Sequence, residues 1–251
     1  MVTAEARKTY ELLKGYLAQD PGNVQLLGDV AIAALQADDS AGAQLQVDQL
    51  FAAAGAPAPL ISEVGRAALS TGHYALAKRI FSQLRDEGET SPVTAYNLAY
   101  ALSGTGEADA ALSLVDEDLA AALPEAAALR VQLLHARGLF DEAMEAARGF
   151  LGLFPESGPL QAAAAVLALD VEDEPLAAAL AGQIPDRPEG LMTLGTLVLG
   201  DGRPAEALDL FDRSVALQRF NPRALIGRGL ARLGLGEADA AAQDIDQGAE
   251  Q

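Results

Sequence analysis

The sequence predicts an all-α protein, a solenoid of antiparallel helix pairs. Three observations lead to this fold class. Half of the 251 residues are apolar, alanine and leucine dominate, and aromatic residues make up only 5 %, a composition that favours helices over strands. Glycines followed by polar or acidic helix starts recur at positions 72, 106, 138, 202 and 236. Their spacings are 34, 32, 64 and 34 residues, and with 64 taken as two units of 32 they indicate stacked repeats of one helix pair.

The net charge of −19 restricts the partners. Nucleic-acid binding requires a basic face, so we expect no nucleic-acid partner. The absence of cysteine excludes disulfides and cysteine nucleophiles. Residues 1–10 lack the apolar core of a signal peptide, and the longest strongly apolar run, residues 191–199, is too short to span a bilayer. We therefore expect no membrane insertion and a bacterial cytoplasm or periplasm as the compartment. Only three of the 17 basic residues are lysines, as is typical of GC-rich bacterial genomes.

One helix pair can be followed along the chain from position 191. Residues 191–198 have apolar side chains three and four apart, the spacing of an amphipathic helix. Gly200 and Gly202 interrupt it, and Pro204 begins a second helix, where its missing N–H costs nothing. Asn221 and Pro222 end that helix, because a residue before proline is disfavoured in helical geometry. The apolar face of the second helix comprises Ala207, Leu208, Phe211, Val215 and Leu217.

This pattern resembles the tetratricopeptide repeat, which reads W-x2-L-G-x2-Y, then A-x3-F, then P. The best copy comprises Leu191, Leu194, Gly195, Val198, Ala207, Phe211 and Pro222. The next best comprises Ile61, Val64, Gly65, Ala68, Ala77, Phe81 and Pro92. Weaker copies begin at Val24, Ala95, Ala127 and Leu225. In the copy that begins at Val24, the next positions are Leu27, Gly28 and Ala31, which predicts about three extra turn residues near residues 38–40.

The resemblance covers nearly the whole chain and implies a right-handed superhelical solenoid, a single domain over residues 1–251 with about seven repeats. Residues 1–21 form a half-repeat with one helix from Thr3 to Ala18, and full repeats occupy residues 22–158 and 187–251. Residues 159–186 form the poorest repeat, alanine-rich and without a large aromatic side chain, so we expect looser packing there. The last helix is expected to expose Ala241 and Ile245 without a polar cap. This predicts self-association through the uncapped ends, or a chain excised from a longer protein.

The sequence contains no combination of residues typical of catalysis. Its two histidines, His73 and His135, lie in different repeats, and neither has a second metal ligand three or four residues away. The glycine pairs in the turns lack the third glycine, the preceding strand and the lysine of a phosphate-binding loop. We therefore predict that the chain is not an enzyme and has no cofactor or metal.

In the family that the sequence resembles, the first helix of each pair lines a concave groove in which partners bind. Tyrosines there would offer apolar area with a polar tip, and an asparagine could hydrogen-bond an extended backbone. The side chains expected to face this groove are Ser62, Arg66, Tyr96, Asn97, Tyr100, Gln132 and His135. An apolar stretch, suited to an amphipathic helix or covered by a missing cap, comprises Met192, Ile226 and Leu230. The alternative is that these are ordinary repeat residues without a partner.

Residues 86–129 contain nine acids and no basic residue, which keeps a leucine-rich array soluble or steers a basic partner. We predict a non-enzymatic scaffold or adaptor that binds a basic or amphipathic protein segment in its groove, within a bacterial envelope, secretion or pilus assembly. The alternative is a docking or regulatory module excised from a larger enzyme, such as a glycosyltransferase or a peptidase.

Overall fold

The computed structural model describes residues 4–53, 55–219 and 221–249. Over these residues the chain forms sixteen α-helices and no strand, which confirms the predicted all-α class. The chain divides into two compact units, Met1–Leu119 and Ala120–Gln251. A single domain over residues 1–251 therefore stays a prediction. None of the described helices is both long and apolar enough to cross a membrane.

The first unit begins with the predicted half-repeat helix, which packs on the first full pair; Thr3, its expected start, lies outside the described residues. Its helices are α1 (Ala4–Gln19), α2 (Val24–Gln36), α3 (Ser40–Ala52), α4 (Ala58–Ser70), α5 (Tyr74–Asp86), α6 (Pro92–Gly104) and α7 (Ala108–Leu114). The short helix α8 (Glu117–Ala122) contains the boundary between the units. Within each pair the two helices contact one another, and α4 also contacts both α2 and α6. Neighbouring pairs therefore stack through their first helices, and the second helix α5 also packs on α6 of the next pair.

The described part of the second unit contains four complete pairs. Its helices are α9 (Pro124–Ala136), α10 (Phe140–Leu153), α11 (Gly158–Asp170), α12 (Glu174–Gln183), α13 (Pro188–Gly200), α14 (Pro204–Leu217), α15 (Pro222–Gly234) and α16 (Ala238–Ala249). The first helices α9, α11, α13 and α15 contact one another in that order, and each packs on its own second helix. The four first helices therefore line one side of this unit, which positions the candidate site.

The seven helix pairs within the described residues have the same internal register. In each, the second helix begins 16 residues after the first, so the predicted extra turn residues near residues 38–40 are wrong. The motif of the first pair lies three residues later than the sequence predicts, with Ala31 rather than Gly28 at the small-residue position. The buried residues in the motif positions are Leu27, Val30, Ala31 and Ala34.

The turn inside each pair contains one residue in the left-handed backbone region. Five turns place a glycine there, whereas the first pair has Asp38 with φ 58° and the pair at residues 158–183 has Glu172 with φ 61°. Because Glu172 replaces the glycine, the two repeats within the 64-residue interval could not be separated by glycine spacing. Their lengths are 34 and 30 residues rather than twice 32.

The expectation of looser packing in residues 159–186 is wrong. Leu160, Ala165 and Leu167 of α11 are fully buried, and the helix contacts α9, α10, α12 and α13. The Gln161 amide donates hydrogen bonds to the Pro155 carbonyl at 2.6 Å and to Gln183 Oε1 at 2.7 Å. Alanine side chains leave little bulk between helices, so neighbouring helices can approach α11 closely from several sides.

The last helix does not expose the predicted apolar face. Ala241 is fully buried, Ile245 is partly buried, and the Ile245 side chain lies against Gly229 of α15. The exposed side of α16 is polar and includes Asp239, Gln243, Asp246 and Gln247. This helix therefore resembles a polar cap, and the expected self-association through α16 loses its structural basis.

Candidate partner-binding surfaces

In the first unit, three tyrosines form a cluster on α5 and α6. The ring centroids of Tyr96 and Tyr100 are 6.1 Å apart, and Tyr100 makes an edge-to-face contact with Tyr74 at 6.2 Å. Burial, followed by the effects of Tyr74, raises the pKa of Tyr100, although the side chain is still partly exposed. We call Tyr74, Tyr96 and Tyr100 the tyrosine cluster. It presents aromatic area together with polar hydroxyl tips, a combination that suits a protein partner.

Sequence reasoning missed Tyr74, because it begins a second helix and those helices were expected to lie away from the groove. Its ring lies against Gly104 at the end of α6, where an added Cβ would overlap the ring. Gly104 is the sequence signal for this contact, because a glycine at the end of a first helix leaves room for a large neighbouring side chain.

The other predicted residues of the first unit differ in accessibility. Arg66 is exposed and Ser62 is half-buried on α4. Asn97, expected to hydrogen-bond a partner, is only 5 % exposed, and its Nδ2 has no hydrogen-bond partner among the described groups. A partner could reach only a small part of Asn97, so the tyrosine cluster and Arg66 are the accessible part of this surface.

In the second unit, a pocket of about 490 Å³ lies over the first helices, and we call it the polar pocket after the charged and amide side chains in its lining. Its lining includes the predicted residues Gln132 and His135, together with Phe140, Asp170, Glu189 and Arg223. His135 Nε2 lies 2.8 Å from Asp170 Oδ2, and the Arg223 guanidinium donates to both Asp170 oxygens at 3.0 and 2.8 Å. The structure thus pairs His135 within the protein, whereas the sequence suggested a side chain open to a partner.

Glu189 carries the second carboxylate of this polar pocket. It lies in the first turn of α13, where the helix dipole favours a negative charge. Its Oε2 is buried and has no hydrogen-bond partner among the described groups. The sequence gave no reason to single it out, because an acidic residue in a first helical turn is common.

An apolar pocket of about 290 Å³ adjoins the polar pocket, and Asp170 and Arg223 line both. It brings together the three predicted apolar residues, with Leu169 and Leu199 beside them. Met192 is 3 % exposed, whereas Ile226 and Leu230 are 36 % and 48 % exposed. Met192 therefore forms part of the floor, and a bound side chain would contact mainly Ile226 and Leu230.

Several of the acids in residues 86–129 have structural partners. Lys78 Nζ donates to Glu107 at 2.6 Å, which lowers the pKa of that carboxyl. Glu89 accepts a hydrogen bond from the Ser91 backbone, and Asp116 Oδ1 accepts one from Leu119 N at 2.8 Å at the start of α8. These three acids stabilise local structure, and steering of a basic partner by the stretch stays a prediction.

Comparison with known proteins identifies the fold. A chain of the APC/C hetero-tetramer Cut9–Hcn1 is similar over 98 % of this chain, with a TM-score of 0.67 and 16 % identity. Yeast Tom70 matches 98 % with a TM-score of 0.66 and 16 % identity. A tetratricopeptide repeat protein from Parabacteroides merdae ATCC 43184 matches 97 %, with a TM-score of 0.64 and 16 % identity, and 93 % of its own length is covered. No protein-family model and no curated protein matches the sequence.

These likenesses show that the chain has the fold of the tetratricopeptide repeat proteins, as the sequence motif predicted. The chain spans about half the length of the first and second of these structures, with 49 % and 55 % of their chains covered. Within the described residues, no group of three or more histidine, aspartate or glutamate side chains is placed to hold a metal ion.

Proposed function

We propose that this chain is a non-enzymatic scaffold or adaptor that binds a segment of a partner protein along the first helices of its helix pairs. The proposal rests on one observation: in the first helices α6 and α15, some large side chains are buried in the packing while others remain accessible. In α6, Leu98 and Leu102 are buried in the packing, while Tyr100 remains accessible. In α15, Leu225 is buried while Ile226 and Leu230 line a pocket. Accessible aromatic and aliphatic side chains beside polar groups are typical of surfaces that bind proteins.

We extend the proposal to a bacterial envelope, secretion or pilus assembly. The preference for arginine over lysine supports a bacterial source, and the strongly negative charge disfavours nucleic acid as the partner. A docking module of a larger enzyme, such as a glycosyltransferase or peptidase, would use the same surfaces. The identity of the bound protein distinguishes a scaffold in such an assembly from a docking module of an enzyme.

Site-specific photo-crosslinking in the source organism tests the proposal. A photoreactive phenylalanine analogue in place of Tyr100 or Leu230 should crosslink to one discrete protein, identified by mass spectrometry. The matched control is the same analogue in place of Leu45, an exposed apolar residue on the second helix α3. Crosslinking at Leu45 that equals crosslinking at both test positions would contradict a binding surface on the first helices.

A further inference from the structure

The polar pocket of the second unit has one carboxylate that the protein does not neutralise. Asp170 accepts two hydrogen bonds from Arg223 and lies within hydrogen-bond distance of His135. Arg223 is the only arginine or lysine that lines this pocket among the described residues, and its guanidinium pairs with Asp170. Glu189 is therefore left with a charge but without a cationic partner in the pocket.

Glu189 lines the pocket and its side chain is partly exposed, although its Oε2 atom is shielded, so a ligand cation can approach the carboxylate from the pocket. A buried polar atom without a donor costs free energy, and more so when it is charged. The N-terminus of α13 offsets part of the charge, but it does not supply Oε2 with a hydrogen bond. A lysine ammonium or an arginine guanidinium in the pocket would supply the opposite charge to this carboxylate.

The apolar pocket beside it points to a second feature of the same ligand. Ile226 and Leu230 remain accessible there, and burying such side chains against an apolar group is favourable. The Asp170–Arg223 ion pair lines both pockets and has no net charge. A segment that places one side chain in each pocket would therefore pass over this ion pair, which repels neither the cationic nor the apolar side chain.

We propose that the second unit selects a peptide segment in which a lysine or arginine lies close to a large aliphatic or aromatic residue. Glu189 receives the cation, and Ile226 and Leu230 receive the apolar side chain. This inference rests on the proposed function, because it specifies the chemistry of the segment that these first helices bind. The net charge of −19 favours the approach of such a segment at low salt.

Selection from a displayed library of short random peptides tests the inference without knowledge of the natural partner. The full chain should enrich peptides with a basic residue close to a large apolar one. A synthetic peptide of the enriched sequence should lose at least about tenfold in affinity for Glu189→Gln or for Leu230→Asp. The matched control is Glu174→Gln, the same charge change in the exposed first turn of α12, which should bind as the wild type does.

Thermal unfolding checks that each variant is folded, and acetylation of the peptide's lysine tests the same contact on the unaltered protein. Acetylation should weaken binding as much as Glu189→Gln does. Enriched peptides without a basic residue, or affinities that neither change alters, would overturn the inference while leaving the proposed function intact. No enrichment over a non-binding control protein would contradict the proposed function itself, and the inference with it.

Discussion

Arg228 of α15 and Asp244 of α16 form a bidentate ion pair in the interior of the second unit. Nε donates to Oδ2 at 2.8 Å and Nη2 to Oδ1 at 2.6 Å, while Arg232 adds a third hydrogen bond to the same carboxylate at 2.7 Å. The Asp244 side chain is 5 % exposed, and its hydrogen bonds raise the pKa of Arg228. Arg228 and Arg232 stand where the repeat motif has apolar residues, so an ionic cluster replaces apolar packing between these two helices.

Removing the carboxylate should release the last helix. In Asp244→Ala, two largely buried guanidinium groups lose their principal acceptor, and breaking such a pair costs about 3 kcal/mol. We expect a lower unfolding midpoint in urea and faster amide exchange in α16. Asp246→Ala, two residues on and exposed, serves as the control and should change neither. Equal midpoints for both variants would show that the ionic cluster adds no stability.

Phe211 lies between two glycines, and the tighter contact is with Gly227. A Cβ at Gly195 would lie 3.0 Å from the ring, whereas one at Gly227 would overlap it. Overpacking costs about 1–3 kcal/mol, and alanine gains about 0.5–1 kcal/mol over glycine inside a helix. Gly227→Ala should therefore destabilise the protein, and Gly195→Ala should be nearly neutral. Gly149→Ala, with no atom within 4 Å of the new Cβ, should raise the thermal midpoint. If Gly227→Ala also raised it, the packing of Phe211 would be contradicted.

Glu172 adopts a backbone conformation that costs an L-residue about 1–2 kcal/mol and glycine little. Glu172→Gly should therefore stabilise the second unit by about 1 kcal/mol, after allowance for the greater freedom of glycine in the unfolded chain. The reverse change at the equivalent position, Gly202→Ala, with φ 75°, should destabilise by a similar amount. Chemical denaturation measures both, and a destabilised Glu172→Gly would contradict the left-handed turn.

The attachment of α1 should weaken at high pH. The Tyr10 hydroxyl donates to Asp39 Oδ2 at 2.9 Å, and burial, then this hydrogen bond and the Asp39 charge, raise the pKa of Tyr10 from 10.0 to about 12. A folded-state pKa above the unfolded value contributes stability that is complete below pH 10 and lost as the pH rises towards 12. The stability advantage over Tyr10→Phe should thus be constant from pH 7 to about 9 and shrink above pH 10. An unchanged advantage at pH 12 would show that Tyr10 is not protonated preferentially in the folded state.

The helices and the large buried side chains could be predicted from the sequence, because both depend on the local pattern of apolar residues. The fully buried Phe81 and Phe211 stand where the motif requires large side chains, and apolar spacing located the helices. Glycine spacing did not mark the turns at Asp38 and Glu172, because these residues adopt the same left-handed conformation without being glycine.

The polar part of the candidate site depends on contacts between distant residues. Arg223 and Asp170 are 53 positions apart in the chain, and no repeat motif specifies such a pair. The contact between Tyr74 and Tyr100 likewise joins two different repeats.

The tyrosine cluster should contribute most of the binding energy in the first unit. Partly exposed aromatic side chains that become desolvated in a complex typically cost about 2 kcal/mol or more when truncated. We expect Tyr96→Ala with Tyr100→Ala to weaken binding of the native partner, measured by calorimetry, by about 30-fold or more.

The fold should survive this double change, because the packing between α6 and its neighbours uses the buried Leu98, Ala99 and Leu102. A matched control is Tyr16→Ala, which removes a half-exposed tyrosine of α1 outside the cluster and should leave the affinity unchanged. The loss of the Tyr74–Tyr100 contact lowers stability slightly, since an aromatic pair contributes about 0.5–1.5 kcal/mol, so unfolding is measured for each variant. A folded double variant that binds the partner with wild-type affinity would exclude the tyrosine cluster and leave the pockets of the second unit as the candidate binding site.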